Sequence, residues 1–495
     1  MSLVVTHRTA DPAQLATPLL MVPILKAEPP VVPTGLSAEV ATALSRAIEA
    51  GDVTGARDEA VLLHAAGATP RVLAIGLDDK ATASALRRAA MVAGKRARTI
   101  GVPSASFLLP DAIMTTIGAE RAGQSVAEGL PFGAWQFTAL KRPADKPKPL
   151  FAECAVVTAN PSDAAAHGIA RGAGVATGQA FTRHLQVLPA NTCTPAFLAE
   201  RATEMASRHG FRITVLDRAA LEREGMHAIL AVGQGSTNEP RFIELEYVPE
   251  GMADAPPIVL IGKGVTFDTG GISIKPAQSM EEMKYDMSGA AAVLGTFEML
   301  GQLRPNVRVI GLVPSAENMV AGNAYRPGDV VGSHFGKTIE VLNTDAEGRL
   351  LLADALSWAR RFHPAAVVDC ATLTGAVVIG LGHTASAVLG TDPELIHALQ
   401  VAGETSGERL WELPLWDEYR ELIKSDIADM KNTGGRPAGT ITAAWFLGEF
   451  VEGFPWAHVD IAGTAYTDRE LPTQVKGPTG MLVRCFAEFL FARSS

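Results

Sequence analysis

Cysteine is scarce in this 495-residue chain: Cys154, Cys193, Cys370 and Cys485 stand far apart, with no C-x-x-C pair. That spacing argues against a disulfide framework and a thiolate zinc site, and it predicts reduced, buried side chains in a reducing compartment. Cations are in deficit, 43 Lys and Arg against 53 Asp and Glu for a formal net charge of −10, which weighs against a general binder of nucleic acid or anionic membrane. No charge-free apolar run reaches about 18 residues, so no membrane span is expected. The amino terminus has an apolar patch at 19–25 but neither a compact basic start nor a small-residue cleavage site. It reads as a buried first strand, not a secretory signal, and the cytoplasm is the default location. Internal repeats and low-complexity tracts are also lacking.

What is present is a globular composition: 47% hydrophobic and 19% charged residues with 47 glycines, typical of a soluble chain rich in turns and close packing. The length allows about two to four domains, each able to bury a core. From about residue 15 to 160, β-type runs at 20–25, 72–76 and 155–158 alternate with Ala-rich helical runs at 38–50, behind a Ser37 cap, and at 81–93. This alternation predicts a smaller N-terminal α/β domain over 1–162, and no catalytic constellation stands in it. The segment 141–149 is charged and proline-rich and reads as an exposed loop, with an anion-binding patch as the lesser alternative. A long helix over 163–188 joins this domain to a larger C-terminal α/β domain, 189–495, where Thr194-Pro195 opens the next helix. Expected strands at 212–216, 258–261, 307–313, 339–342, 366–370, 387–389 and 457–461 are mostly separated by helices. A mixed, mostly parallel sheet covered on both faces follows.

The chemistry gathers in three segments of the larger domain. The strand at 258–261 runs into G-K-G-V-T-F-D-T-G-G-I-S-I-K-P, residues 262–276. A phosphate loop needs G-K-[ST] opening a helix and a dinucleotide fingerprint needs a third spaced glycine and a helix, so a nucleotide-binding oxidoreductase is disfavoured. Asp268 and Lys275 stand instead on a loop whose glycines admit close approach to something small. Asp286 follows, at the mouth of an Ala-rich helix over 290–300, and the octet N-T-D-A-E-G-R-L, residues 343–350, adds Asp345 and Glu347 between a β-type run and a helix-period run. If these loops leave the ends of one parallel sheet, all three open on the same edge, where such sheets bind ligands. Taken singly, each acid reads as a helix cap or a solvated residue. Together, four carboxylates in one cleft cannot all stay ionised without added positive charge. Divalent metal supplies it, and oxygen ligands without Cys or H-E-x-x-H suit Mn, Mg or a carboxylate-bound Zn pair. Two ions about 3.5–4 Å apart would share an activated water. Lys275 is placed to stabilise an oxyanion on a substrate carbonyl, and Arg349 offers a fork for a small anion. Lys263 is suited either to pairing with an acid or, as a neutral amine, to holding a metal.

These motifs together resemble the leucyl aminopeptidase family, the M17 peptidases, with the bacterial cytosol aminopeptidase A type as the nearest form. N-T-D-A-E-G-R-L is the family's signature, and the 262–276 segment, M-K-Y-D-M-S-G-A-A-A, A-T-L-T-G-A (371–376), K-N-T-G-G (431–435) and H-V-D-I-A-G (458–463) occur in the family's order over roughly 180–495. The resemblance implies a two-metal aminopeptidase acting on peptides, leucine and other apolar N-terminal residues among them. It implies that Lys263, Asp268, Asp286 and Glu347 hold one ion and Asp268, Asp345 and Glu347 the second, with a backbone carbonyl of Asp345. Lys275 and Arg349 become the catalytic pair, Arg349 holding a bicarbonate that serves as general base. Met287, Asn343, Thr372, Leu373 and Gly375, with Lys275, are assigned to the substrate pocket or its rim, although Met287 read by itself is core packing and His458 a structural histidine. A homohexamer is implied as well. Some bacterial relatives also bind DNA, a second role against which the net charge of −10 and the lack of an evident helix-turn-helix both weigh.

Overall fold

The computed structural model describes residues 3–142 and 145–494, so Pro143 and Ala144 of the expected loop at 141–149 lie outside the described residues; the rest of that loop is exposed. The chain divides into two compact units, Met1–Ala180 with Asp468–Lys476, and Phe181–Thr467 with Gly477–Ser495. The division falls inside one long helix, Asp163–Val187.

In the first unit, β1 (Val4–Thr9), β2 (Leu20–Ile24), β3 (Ala60–His64), β4 (Arg71–Gly76), β5 (Ser104–Leu108) and β6 (Glu153–Thr158) form one sheet in the order β1-β6-β5-β2-β4-β3. Every neighbouring pair is parallel except β3 with β4. The three expected strands are β2, β4 and β6. β1, β3 and β5 went unread; β1 and β3 are edge strands with little of their length fully buried. The helix expected at 38–50 is Ala38–Glu49, and the Ser37 hydroxyl caps it by accepting from Val40 N–H. The one expected at 81–93 begins behind a Thr82 cap and runs on through Ile100, until Gly101 takes a left-handed conformation and ends it.

The second unit holds β7 (Arg212–Leu216), β8 (Arg241–Tyr247), β9 (Ile258–Gly262), β10 (Gly264–Asp268), β11 (Val309–Asn318), β12 (Val330–Gly332), β13 (Thr338–Glu340), β14 (Ala366–Ala371), β15 (Ser386–Gly390), β16 (Leu410–Glu412), β17 (Met430–Lys431) and β18 (Trp456–Asp460). Nine of them make a mixed, mostly parallel sheet, β16-β15-β18-β14-β9-β11-β8-β7, with β10 also pairing with β11. β9, β11, β14 and β18 are buried throughout, the signature of central strands covered on both faces and the reason they read as continuous apolar runs. The α/β class and the mostly parallel sheet are as expected.

One expectation needs correcting. The octet does not leave the main sheet: β13, which precedes it, belongs to a separate three-stranded sheet, β12-β13-β17. β13 pairs in parallel with β17, Ile339 opposite Met430 and Glu340 opposite Lys431. The charged loops therefore converge from two sheets, because a short strand such as β13 shows its own apolar pattern but not the sheet it joins.

Candidate active site

Lys263 occupies the one-residue break between β9 and β10. Its backbone N–H donates to Cys370 C=O at the end of β14 (3.1 Å), and its C=O accepts from Ala290 N–H at the start of the helix Ser288–Leu303 (2.8 Å). Backbone bonds on both sides thus fix the side chain's origin at the carboxyl edge of the sheet. Its ammonium reaches Asp286 Oδ1 (2.8 Å), Thr372 C=O (2.9 Å) and Glu347 Oε1 (2.9 Å). Gly348 makes room for it, since a Cβ there would lie 2.6 Å from Lys263 Nζ.

Asp268 ends β10. Its Oδ1 accepts from Gly270 N–H and from Asn318 Nδ2, each at 2.8 Å, and its Oδ2 meets Lys275 Nζ at 2.8 Å. The carboxylate closes a turn in its own loop and caps no helix. Gly271 carries a positive φ of 63°, and a Cβ on it would sit 2.8 Å from Asn318 Oδ1, so only glycine fits beneath the octet here. Lys275 also pairs with Asp345. Asp286 precedes the helix Ser288–Leu303 without capping it; its Oδ1 accepts from Lys263 and from the Thr372 hydroxyl (2.7 Å). Its Oδ2, though buried, has no hydrogen-bond partner among the described residues.

The octet is clamped from the glycine-loop side by Thr344, which is fully buried. The Thr344 hydroxyl donates to Gly270 C=O (2.6 Å) and accepts from Ser273 N–H (2.8 Å), its N–H donates to Ser273 Oγ (3.1 Å), and its C=O accepts from Asn318 Nδ2 (2.9 Å) and the Tyr325 hydroxyl (2.8 Å). Asn343 Oδ1 accepts from Asp345 N–H at 2.9 Å. Arg349 lies one turn on, in the helix Gly348–Ala359, with Nη1 on Asn432 C=O (2.7 Å) and a buried Nε that lacks a partner among the described residues.

The predicted ligands thus meet. Asp268, Asp286 and Glu347 each present an oxygen within 4.8 Å of the others, a grouping able to hold a metal ion. Asp345 joins them through Lys275. Of the predicted pocket residues, Thr372 touches Asp286, Leu373 N–H donates to Asp460 Oδ1 (3.1 Å), and Gly375 is exposed at the start of the helix Gly375–Leu381. Asn343 is half-buried, while Met287 has no exposed surface and sits in the interior.

Charge is unevenly shared in this cluster. Burial and the neighbouring Glu347 push Asp268 up to about 6, and burial drives Asp286 well above the carboxylate range despite Lys263. Asp345 is raised by burial as well. Glu347 alone is held low, because Lys263 and Lys275 together outweigh its burial. Burial opposes the charge on both lysines, yet the surrounding acids hold each ammonium above its ordinary range. Burial lowers Arg349 to about 10. Four acids face two ammoniums, three of the acids resist ionisation, and a buried carboxylate oxygen goes unused. The donor set fits divalent metal, whose charge and need for oxygen ligands match what the cluster lacks.

Residues not foreseen in these roles hold the site in place: Asn318, Tyr325, Thr344, Asn432 and Asp460. Asn432 and Asp460 stood inside quoted motifs, whereas Asn318 and Tyr325 had no local signal at all. His458 Nδ1 donates to Asp369 Oδ1 (2.5 Å) in full burial. Asp369 Oδ2 accepts from Trp456 Nε1 (2.7 Å), which ties the histidine to the sheet interior.

An α/β enzyme centred on a buried, metal-fitting cluster of carboxylates is the class these features define. The chain belongs to the cytosol aminopeptidase family: its catalytic-domain model matches residues 180–487 and its N-terminal-domain model residues 24–144. It is accordingly a metal-dependent aminopeptidase. A probable cytosol aminopeptidase of Roseiflexus castenholzii is 45% identical over 494 residues, covering 98% of both chains, and one of a Geobacter species is 47% identical over 485 residues, covering 97% of this chain and 98% of the relative. Among solved structures, a mutant of tomato leucine aminopeptidase superposes with a TM-score of 0.89 at 31% identity, covering 99% of this chain and 96% of that one. The bottromycin maturation enzyme BotP in complex with Mn gives 0.86 at 35% identity, covering 97% and 100%.

Proposed function

We propose that the protein removes N-terminal amino acids, leucine and other apolar residues among them, from peptides with the help of two divalent ions. The observation that carries this reading is the imbalance of four clustered acids against two ammoniums, with Asp286 Oδ2 buried and unpartnered. Lys263, Asp268, Asp286 and Glu347 would hold one ion, and Asp268, Glu347 and Asp345, the last through its carboxylate and carbonyl, the other. Lys263 would release its proton to serve as a ligand, its present partners Asp286 and Glu347 then facing the metal. Bound there, divalent ions supply Lewis acidity and an activated water. The Mn complex of BotP and the name of the tomato enzyme support manganese and leucine as first choices, with zinc or magnesium as the alternatives.

Lys275, relieved of neutralising Asp268 and Asp345 by themselves, would turn its charge to the developing oxyanion of the scissile carbonyl. Arg349 has a buried Nε without a partner and would hold a small planar anion such as bicarbonate on that free edge. Asn343, Thr372, Leu373 and Gly375 would border the first side chain of the peptide; Met287 would have to act from beneath that surface. The names of the relatives support a cytoplasmic enzyme, and the resemblance to the leucyl aminopeptidases extends this to a homohexamer.

The test is hydrolysis of leucine arylamide by the full chain, stripped of metal and reloaded with Mn2+. We expect activity to depend on the added ion and to fall by about 10³-fold in Glu347→Gln, which removes an oxygen from the cluster while keeping its shape. Undiminished turnover in the metal-stripped protein or in Glu347→Gln would overturn the reading.

A further inference from the structure

The octet turn that carries Asp345, Glu347 and Arg349, with Leu342 just before it, has four backbone groups served by one side chain outside it. Asn432 follows β17 and is fully buried. Its N–H donates to Glu340 C=O (2.8 Å), the last rung between β17 and β13. Its Oδ1 accepts from Leu342 N–H (2.9 Å) and Asn343 N–H (3.3 Å), while its Nδ2 donates to Asn343 C=O (2.6 Å) and Ala346 C=O (3.5 Å). Where the ladder ends, the carboxamide continues it and grips the turn through groups other than those of Thr344. The backbone C=O of the same residue accepts from Arg349 Nη1 at 2.7 Å. One residue thereby sets both the path of the turn and the position of the guanidinium one helical turn further on.

Only a carboxamide can do this. Two N–H groups and two C=O groups must be met by one side chain, which demands an acceptor oxygen and a two-proton donor on the same carbon. Aspartate would lose both donations and place a fifth carboxylate beside a cluster already short of positive charge; an apolar side chain would strip Leu342 N–H and Asn343 N–H of their acceptor and leave Asn343 C=O with Ala346 N–H alone (3.2 Å).

We propose that Asn432 is a positioning residue for the reaction: its carboxamide fixes the octet turn in register and its carbonyl orients Arg349. This rests on the reading of Asp345, Glu347 and Arg349 given above. Among the described residues no other side chain bonds these four groups, so the turn would loosen on truncation and move its three charged groups out of alignment. A misplacement of about 1 Å at such groups costs about 100-fold in rate.

The experiment compares Asn432→Ala with Asp429→Ala in the Mn2+-loaded full chain. Asp429 Oδ2 accepts from Thr338 N–H (2.7 Å) and the Thr338 hydroxyl (2.9 Å), so it ties together the far ends of β13 and the segment leading into β17 without touching the octet. For Asn432→Ala we expect kcat on leucine arylamide to fall about 100-fold with KM held within about threefold. Amide exchange should rise by about tenfold or more in peptides spanning 342–350 and stay unchanged elsewhere. Asp429→Ala should lower the thermal midpoint while leaving kcat within about twofold. Should the alanine variant fail to fold, Asn432→Asp, isosteric and still an acceptor, is held to the same kcat threshold. Wild-type kcat in the folded variant, or an equal loss in Asp429→Ala, would overturn the proposal. An inactive parent protein would instead sink the aminopeptidase reading, and the exchange pattern would then decide the role of Asn432 without it.

Discussion

Each of the two units buries charge, and they do so differently. In the first, Arg87 Nε meets Glu128 Oε2 at 2.6 Å with both side chains almost wholly out of solvent, and Gln124 Nε2 donates to the other carboxylate oxygen at 2.7 Å. A cation meets an anion whose two oxygens are both satisfied, which is how a buried pair avoids an uncompensated charge. In the second, two ammoniums are divided among four acids, and the acids are left partly unable to ionise. Burial is common to both. What distinguishes a site from a strut is the balance of the account, because a balanced pair needs nothing from outside and an unbalanced cluster calls for an ion or a substrate.

The contrast can be broken most sharply at Lys275. Lys275→Ala should lower kcat by about 10²–10³-fold with little change in KM, the pattern of an interaction made in the transition state, while steady-state assays on Glu128→Ala should show unaltered turnover per folded molecule. Equal catalytic losses in the two variants would erase the distinction. The next effect runs the other way. Glu128→Ala takes from buried Arg87 the carboxylate it meets and should cost about 3–5 kcal/mol in the stability of its unit, seen as an early unfolding step by calorimetry; stability within about 1 kcal/mol of the parent would show that the pair is no strut.

The smallest effect separates buried from surface charge. Glu449 lies between Lys337 Nζ, 2.7 Å away, and Arg420. Burial alone would raise its carboxyl, but Arg420 and Lys337 prevail and hold it below its ordinary value of 4.5. A carboxyl depressed in the folded state contributes stability that is fully present above its unfolded pKa and is lost as pH falls through the lower, folded value. Glu449→Gln should therefore be less stable than the parent at neutral pH, by at most about 1 kcal/mol because solvent screens a half-exposed partner. Thermal melts of the two should converge in acid. A gap that persists in acid would assign the loss to packing.

The legibility of the site follows the range of its contacts. Asp345, Glu347 and Arg349 declared themselves because they crowd one turn, and Asp268 and Lys275 because they share a glycine loop. Asp286 was found from its place before an Ala-rich helix. Asn318, which donates to both Asp268 and Thr344 C=O, stands 50 and 26 residues from them, and no local pattern marks an asparagine at the end of a buried strand as a bridge. β10 was missed for a related reason: its glycine-rich start reads as a loop until pairing with β11 makes it a strand. Met287 shows the opposite case, where the residue's own chemistry pointed to the interior and burial agrees.

The amino-acid sequence by itself determined which chemistry is available, since the count and spacing of carboxylates, lysines and glycines in 262–286 and 343–350 allow few uses. It also determined the α/β class, through apolar runs long enough to be central strands. Only the tertiary structure decided that the octet arrives from a second sheet, that Asn432 and Thr344 both anchor it, and that the four acids share two ammoniums unequally. Those outcomes depend on distances between segments far apart in the chain and on how deeply each group is removed from water, and neither quantity is carried by local pattern.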